Sequence, residues 1–385
     1  VEEYVSQPFV DLEGRERLAI AGLSLPAFGS KALRFSKSTK PMASPFILEG
    51  QHLTTPFAEI CFSESGFIES LIDRRTGREL VQGLPFNTFL MAEDVSAAWD
   101  NWDIDADLEE KMQPVGRLLS RQVVSNGPVE LRIRSLWAIS EKSTIEQDMV
   151  FSAGTPLISF ETVMNWQEEH HFLKAAFDTS LHCDDLRSEV QFGCIRRTVH
   201  RSTDIEKARF EICNHKYSDL SEPHYGIALL NDCKYGLSAN EGSMRLSLHK
   251  GGIRPDIAGD KGRHICRYAI LPHCESFGAK SVVEPAYAFN YHPLIQPGTY
   301  EAPAFVTADA DNVVIETIKP CEDTERAYIL RLYEATGDYA VARLSFAHLV
   351  RKLVLCNMLE EEEKPLEKLE LTVKPFQICT LKVCY

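Results

Sequence analysis

Apolar and polar residues alternate along most of this chain, in short runs broken by turn residues. In FAEICFSESGFIESLIDRRTGREL (57–80) the alternation is interrupted at Ser65-Gly66 and Thr76-Gly77. A period of two places successive side chains on opposite faces of a pleated strand, so this stretch predicts a three-strand meander. The same texture returns in VELRIRSLWAIS (129–140), STIEQDMVFS (143–152), LISFETVMNW (157–166), EVQFGCIRRTV (189–199), ARFEICNHKY (208–217), YGIALLND (225–232), SMRLSLHK (243–250) and RHICRYAILPH (263–273). Closely spaced short strands of this kind make an antiparallel sandwich or barrel, an all-β class. No βαβ alternation with a Gly-rich phosphate loop occurs, which excludes dinucleotide-binding and P-loop folds.

A second β block follows. VVIETIKPCED (313–323), AYILRLYEA (327–335), YAVARLSF (339–346) and ELTVKPFQICTLKV (370–383) suit a smaller sandwich. Between them, HLVRKLVLCNMLEEEEKPLEK (348–368) reads locally as a helix, with Glu360–Glu363 as a solvated face or loop. The Pro-rich stretch EPAYAFNYHPLIQPG (284–298) marks a boundary or long connection. A chain of 385 residues is too long for one ordinary core, so two or three domains are expected. The predicted division is a short N-terminal β segment over 1–46, ending near Lys40-Pro41, a large β domain over 47–284 and a small β-sandwich over 285–385.

The charge balance narrows the partners. A net charge of −15 argues against nucleic acid and anionic membranes, which require basic patches. No apolar run is long enough to cross a membrane as a helix. The eleven cysteines are odd in number, form no CxxC pair, and sit in apolar runs such as the one around Cys61 and that around Cys213. They read as reduced, mostly buried thiols of a cytoplasmic protein, with no structural disulfide and no zinc knuckle.

One short stretch departs from the pattern. WDNWDID (99–105) holds two of the four tryptophans of the chain, together with Asp100, Asn101, Asp103 and Asp105. On a strand, Trp99, Asn101 and Asp103 would share one face and Asp100, Trp102 and Ile104 the other. Tryptophan faces stack on sugar C–H groups and carboxylates accept hydrogen bonds from hydroxyls, so Trp99, Asp100, Trp102 and Asp103 are candidate substrate-proximal residues. The alternative is a strand edge whose Asp side chains satisfy turn amides. In NWQEEHHFLKAAF (165–177), the adjacent His170 and His171 point apart on either regular structure, and a strand end running into a polar turn fits better than a metal site. Asp232, Lys234 and Tyr235 form either an acid/base cluster or a surface turn with an Asp–Lys pair. His200, His215 and His264 are more simply hydrogen-bonded strand residues. No nucleophile elbow, no Cys–His signature and no paired-carboxylate motif is present.

Taken together, these segments resemble family 38 glycoside hydrolases, the class II α-mannosidases. WDNWDID is similar to their D-A-W-D-I segment and QFGCIRRTVH (191–200) to Q-F-G-x-x-x-R-P-T-H. ARFEICNHKYSDLSEPHYGIALLNDCKYG (208–236) is similar to A-R-F-E-V-x-x-H-K-W-x-D-L-S-E-x-x-Y-G-V-A-L-L-N-D-x-K-Y-G. Arg254–Asp256, GDKGRH (259–264), YAILPH (268–273), ILRLYEA (329–335) and KPFQICTLKV (374–383) agree as well. The resemblance covers residues 47–385 and is greatest to the cytosolic and bacterial branch. Asn101 stands in place of Ala, Arg197 and Val199 alter the R-P-T-H segment, and Tyr217 stands in place of Trp.

The resemblance implies a large antiparallel super-sandwich akin to the galactose-mutarotase-like fold, followed by a smaller sandwich. It also implies a parent enzyme that is a retaining, zinc-dependent exo-α-mannosidase. In full-length members an N-terminal α/β domain carries zinc ligands, the aspartate nucleophile and the acid/base carboxylate, and a helical domain adds a zinc histidine in a His-His-Asp stretch. This chain has no His-His-Asp stretch and starts without Met, so it is expected to be the C-terminal β region alone: scaffold and part of the cleft wall, with no catalytic residue, no metal ligand and no cofactor of its own. On that basis its partners are the α-mannoside substrate and the missing N-terminal catalytic domain, and homo-oligomer formation through the uncovered docking face is an expected by-product. Two rivals remain: a non-catalytic carbohydrate-binding or interaction module, and an aldose-1-epimerase-like enzyme, which needs a His acid and a Glu base drawn from Glu168, His170 and His200.

Overall fold

The computed structural model describes residues 3–36 and 42–385. The expected end of the N-terminal segment near Lys40-Pro41 lies outside the described residues. The chain divides into two compact units: Val1–Gly22, Lys40–Ser188 and Arg196–Ser276 form the first, and Leu23–Thr39, Glu189–Ile195 and Phe277–Tyr385 the second. Residues ahead of 47 are thus shared between the two units.

The first unit is a large antiparallel sandwich. Its nine-stranded sheet runs in the order Arg117–Asn126, Glu130–Ala138, Thr144–Ser152, Ile158–Trp166, Gly262–His273, Tyr225–Asn231, Tyr217–Glu222, Asp185–Val190 and Gly193–Thr198. Its six-stranded sheet runs Ile212–Cys213, Gly236–Asn240, Ser243–Lys250, His171–Asp178, Thr88–Glu93 and Gln113–Val115. The meander predicted over 57–80 is present as Ala58–Phe62, Ile68–Asp73 and Arg78–Glu79 within a five-stranded sheet.

One apolar core joins these layers. Phe160 of the nine-stranded sheet meets Phe177 of the six-stranded sheet, with ring centroids 5.7 Å apart. Trp137 lies parallel to Phe67 at 5.6 Å, and its indole N–H donates to the Ser65 carbonyl at 2.7 Å. Burying an aromatic ring with its one polar atom satisfied yields hydrophobic stabilisation without the cost of an orphan donor. The polar groups between the sheets are also paired. Gln147 Nε2 donates to Thr162 and to Tyr268 Oη, both at 2.8 Å; Tyr268 donates to Asn87, and Asn87 donates back to Gln147.

The second unit holds a five-stranded sheet, Val313–Pro320, Ala327–Glu334, Ile378–Cys384, Lys352–Cys356 and Glu362–Leu366, and a three-stranded sheet, Val306–Ala308, Ala340–Phe346 and Glu370–Val373. Their inward residues form a separate core around Leu330, Leu332, Leu344, Leu381 and Val383.

Several local expectations are corrected. The helix-like segment 348–368 is a strand pair: Lys352–Cys356 runs beside Ile378–Cys384 and also pairs with Glu362–Leu366. Leu353 and Val354 are both buried, so the run of apolar residues that suggested a helix face is instead covered on both faces of the sheet. The connection at 284–298 begins with a helix, Glu284–Asn290, with Pro285 in its first turn where the missing amide costs nothing. The segment 208–217 contributes only Ile212–Cys213 before the next strand starts at Tyr217. Strand His171–Asp178 escapes the alternation test because Phe172–Phe177 are all buried. All eleven cysteines are free; four are buried, but Cys213 is exposed and Cys61 only half-buried.

Candidate functional site

WDNWDID is a turn and not a strand. Trp102 N–H donates to the Trp99 carbonyl at 2.7 Å and Asp103 N–H to the same oxygen at 2.9 Å. Trp99 sits at φ 58°, a left-handed conformation that is uncommon for a bulky residue and persists only where neighbours hold it. The supposed sharing of a strand face by Asp100 and Trp102 therefore does not apply. The four candidates instead take different roles.

Asp100 is an anchor. Its Oδ2 accepts from Ile253 N–H at 2.7 Å. Asn101 pairs in both directions with Arg254: its N–H donates to the Arg254 carbonyl at 3.1 Å, and its side-chain oxygen accepts from Arg254 N–H at 3.2 Å. The turn is thereby tied to the loop that follows strand Ser243–Lys250. Gly252 allows the approach, because a Cβ there would lie 2.5 Å from Asn101 Oδ1 and 2.9 Å from the Asp100 carbonyl. The other Asp100 oxygen faces His170 Nδ1 at 3.5 Å, and neither atom has a hydrogen-bond partner. Asp103 is exposed. The rings of Trp99 and Trp102 are 71% and 68% exposed and meet edge-to-face at 6.4 Å. Large aromatic rings standing in solvent contribute little to folding and offer faces to a ligand or a partner surface.

Behind the turn lies a cleft of about 500 Å³, lined among others by Trp102, Phe172, Glu211, Lys234, Ser247 and His249. That size is within the range of small-molecule sites. Two of its lining residues, Glu211 and Lys250, belong to a network of ion pairs. Lys174 is fully buried and pairs with Glu211, with Ser238 Oγ at 3.0 Å and Glu109 at 4.0 Å. Glu211 also accepts from Ser247, Arg201 pairs with Glu109, and Lys250 pairs with the buried Asp94. Burial alone would raise the Glu109 carboxyl; Arg201, Ser238 and Lys174 outweigh it and hold the group below its ordinary range.

His249 shows how the strand is bent to make this wall. In Ser243–Lys250 the inward residues are Met244, Leu246 and Leu248, yet His249 is buried too. The register explains it: Leu173 pairs with His249 and Lys174 with Ser247, so Leu248 is bulged out of the ladder. A bulge re-aims the side chain that follows it. Burial and the neighbouring His264 push the His249 imidazole down to about 3, so it is neutral at any physiological pH.

The remaining candidates are scattered. Glu168 accepts from Ser140 and Ser143 at 2.5 and 2.8 Å, and His200 pairs with the fully exposed Asp184 at 3.3 Å. Burial would raise the Glu168 carboxyl, but the two hydroxyls hold it low. Glu168, His170 and His200 therefore have separate partners, which disfavours an epimerase pair. His171 Nδ1–H donates to the Glu169 carbonyl at 2.6 Å, away from His170. The expected Asp232–Lys234 pair is replaced by Asp232–Arg267 at 3.1 Å. A His-x-Asp spacing occurs at 182–184, but among the described residues no three His, Cys, Asp or Glu side chains are grouped so as to hold a metal ion. No helix among the described residues is long and apolar enough to cross a membrane.

Sequence reasoning missed Lys174, Glu211 and His249. The available signal was a lysine inside the apolar run FLKAAF: a buried ammonium needs a carboxylate. Nothing local marks Glu211 as that carboxylate.

Comparison with known proteins bears on the whole chain. Residues 53–258 match the glycosyl hydrolases family 38 C-terminal domain, and residues 312–381 the glycosyl hydrolases family 38 C-terminal beta sandwich domain. Alpha-mannosidase 2C1 of Homo sapiens is 35% identical over 331 residues, covering 82% of this chain and 32% of its own length. An alpha-mannosidase of Saccharomyces cerevisiae is 27% identical over 368 residues, covering 85% of this chain and 34% of its own. The chain thus spans about a third of the length of these relatives. The crystal structure of an alpha-mannosidase from Enterococcus faecalis superposes with a TM-score of 0.75 at 13% identity, over 99% of this chain and 48% of that one, a likeness of fold.

Proposed function

Because the chain belongs to glycosyl hydrolase family 38 as its C-terminal β region, we propose that its parent protein is a retaining, zinc-dependent α-mannosidase in which this chain is scaffold and part of the cleft wall. The observation that carries this reading is the family match over the large sandwich, joined to a turn that presents two exposed tryptophans beside a cleft. In this reading the zinc ligands and the aspartate nucleophile belong to residues outside this chain. Zinc, where bound, would polarise and grip sugar hydroxyls. The residues here supply other parts: Trp102, and Trp99 beside it, offer ring faces for sugar C–H groups, exposed Asp103 accepts from hydroxyls, and Asp100 fixes the turn that carries them. Retaining hydrolysis requires two carboxylates about 5–5.5 Å apart across the scissile bond. Asp100 is committed to Ile253 N–H and does not serve as one of them.

Eleven free cysteines suit a reducing compartment, so a cytoplasmic location is part of the proposal, as is self-association through the face the catalytic domain would cover. The test is hydrolysis of an aryl α-mannoside. The full-length parent should hydrolyse it and lose activity to a chelator, while the 385-residue chain should not turn it over with or without zinc. Zinc-stimulated turnover by the chain alone would sink the reading.

A further inference from the structure

We infer that the recess floored by His249 is a saccharide subsite, which takes one hexose unit of a manno-oligosaccharide through the imidazole of His249 and the exposed ring of Trp102. This rests on the mannosidase reading for its ligand class and goes beyond it in assigning His249.

An orphaned polar side chain on the cleft lining points to a ligand. His249 is only 9% exposed and lines the cleft, yet its Nε2 has no hydrogen-bond partner. Its ring lies 4.8 Å from that of Trp166, whose buried indole N–H is also unpartnered. Buried polar atoms are almost always satisfied, and leaving one unpaired is costly. Of the two, His249 lines the cleft, while Trp166 is fully buried behind it, so His249 is the group that a hydroxyl-bearing molecule in the cleft meets.

The charges select a neutral ligand. Glu211 is committed to Lys174 and Ser247, and Lys250 to Asp94. What remains on the lining is one acid, Asp260, and one amine, Lys234, with no ion pair among the described residues. A strong anion or cation gains little from such a balance, whereas a polyol can use donors and acceptors of both kinds. The neutral imidazole of His249 can donate to one hydroxyl or accept from another. Trp102 at the rim adds an apolar face, the usual complement of a pyranose. A metal is the weaker occupant, since the described residues bring no third ligand to His249 and His264.

The test is titration of the 385-residue chain with methyl α-mannoside, α-mannobiose and maltose up to ~10 mM, the weak-binding range, with the His249 imidazole nitrogens and the Trp166 indole N–H followed by NMR. Both signals should move and saturate with α-mannobiose. His249→Phe, which keeps a ring of similar bulk, and Trp102→Ala should each weaken binding about tenfold, ~1.4 kcal/mol. Unmoved His249 and Trp166 signals, or a His249→Phe chain that binds as wild type, would overturn the inference. If His249→Phe lowers the melting temperature, the wild-type titration alone decides. Hydrolysis of an aryl α-mannoside by the parent with these signals static removes the subsite and leaves the mannosidase reading intact. No hydrolysis by the parent, with maltose bound and mannobiose ignored, removes the mannoside assignment itself.

Discussion

Truncating Trp102 to alanine should impair sugar handling while costing the fold less than truncation of a buried tryptophan. The magnitude follows from exposure: the residue is 68% exposed, so about a third of it is covered. A fully buried aromatic removes up to roughly 250 Å² from water. A third of that, at ~25 cal/mol per Å², is ~2 kcal/mol. This is an upper value, because the denatured chain already buries part of the ring. Trp137 and Trp166 are fully buried, and their truncation should cost ~3–5 kcal/mol each. Urea unfolding of the three variants should therefore separate Trp102→Ala from the other two. In the full-length parent the same change should lower kcat/KM by about 5- to 150-fold, the equivalent of ~1–3 kcal/mol of lost positioning. Unchanged kinetics with a stability loss as large as that of Trp137→Ala would refute the reasoning and make the ring structural.

Asp100→Ala should behave differently, costing ~1.5–3 kcal/mol through the lost charged acceptor and speeding hydrogen exchange at the Ile253 amide; unchanged exchange there would show that the anchor is dispensable. Lys174→Met should destabilise by up to ~3–5 kcal/mol, because it leaves the largely buried Glu211 carboxylate with no cation and only Ser247 as donor, and Lys174→Met with Glu211→Leu should recover most of that loss; a single variant as stable as wild type would refute it. Burial alone would raise the Glu334 carboxyl, but the amides of Phe376, Thr336 and Gly337 hold it below the ordinary range. Its contribution is therefore complete above the unfolded carboxylate range and fades as pH falls through the lowered folded value, so Glu334→Gln should destabilise the second unit at neutral pH and the gap should shrink below pH ~4. Equal pH profiles for variant and wild type would exclude this role.

Period-two alternation was enough to read the class of the fold and most of its strands. Strands Ile158–Trp166 and Ser243–Lys250 start and stop close to where the pattern does, because a strand covered mainly on one face alternates over most of its length. The rule fails where coverage is two-sided. His171–Asp178 and Lys352–Cys356 are buried on both faces, lose the alternation, and read as a turn region and a helix. The composition of WDNWDID marked it as unusual, but its strand geometry was wrong, since a left-handed Trp99 and a pairing with residues some 150 positions away leave no local signal.

By itself the sequence determined the antiparallel β architecture, the second sandwich and, through long runs of motif, the family. Those depend on local periodicity and on residue order, and both are written along the chain. Tertiary structure alone decided the site. Asp100 became an anchor because Gly252 lets the 251–254 loop approach it. Lys174 found Glu211 across the sheet, and the bulge at Leu248 turned His249 into the wall of the cleft. Each of these joins residues distant in sequence, and the free energy of such contacts depends on where the packed sheets place them.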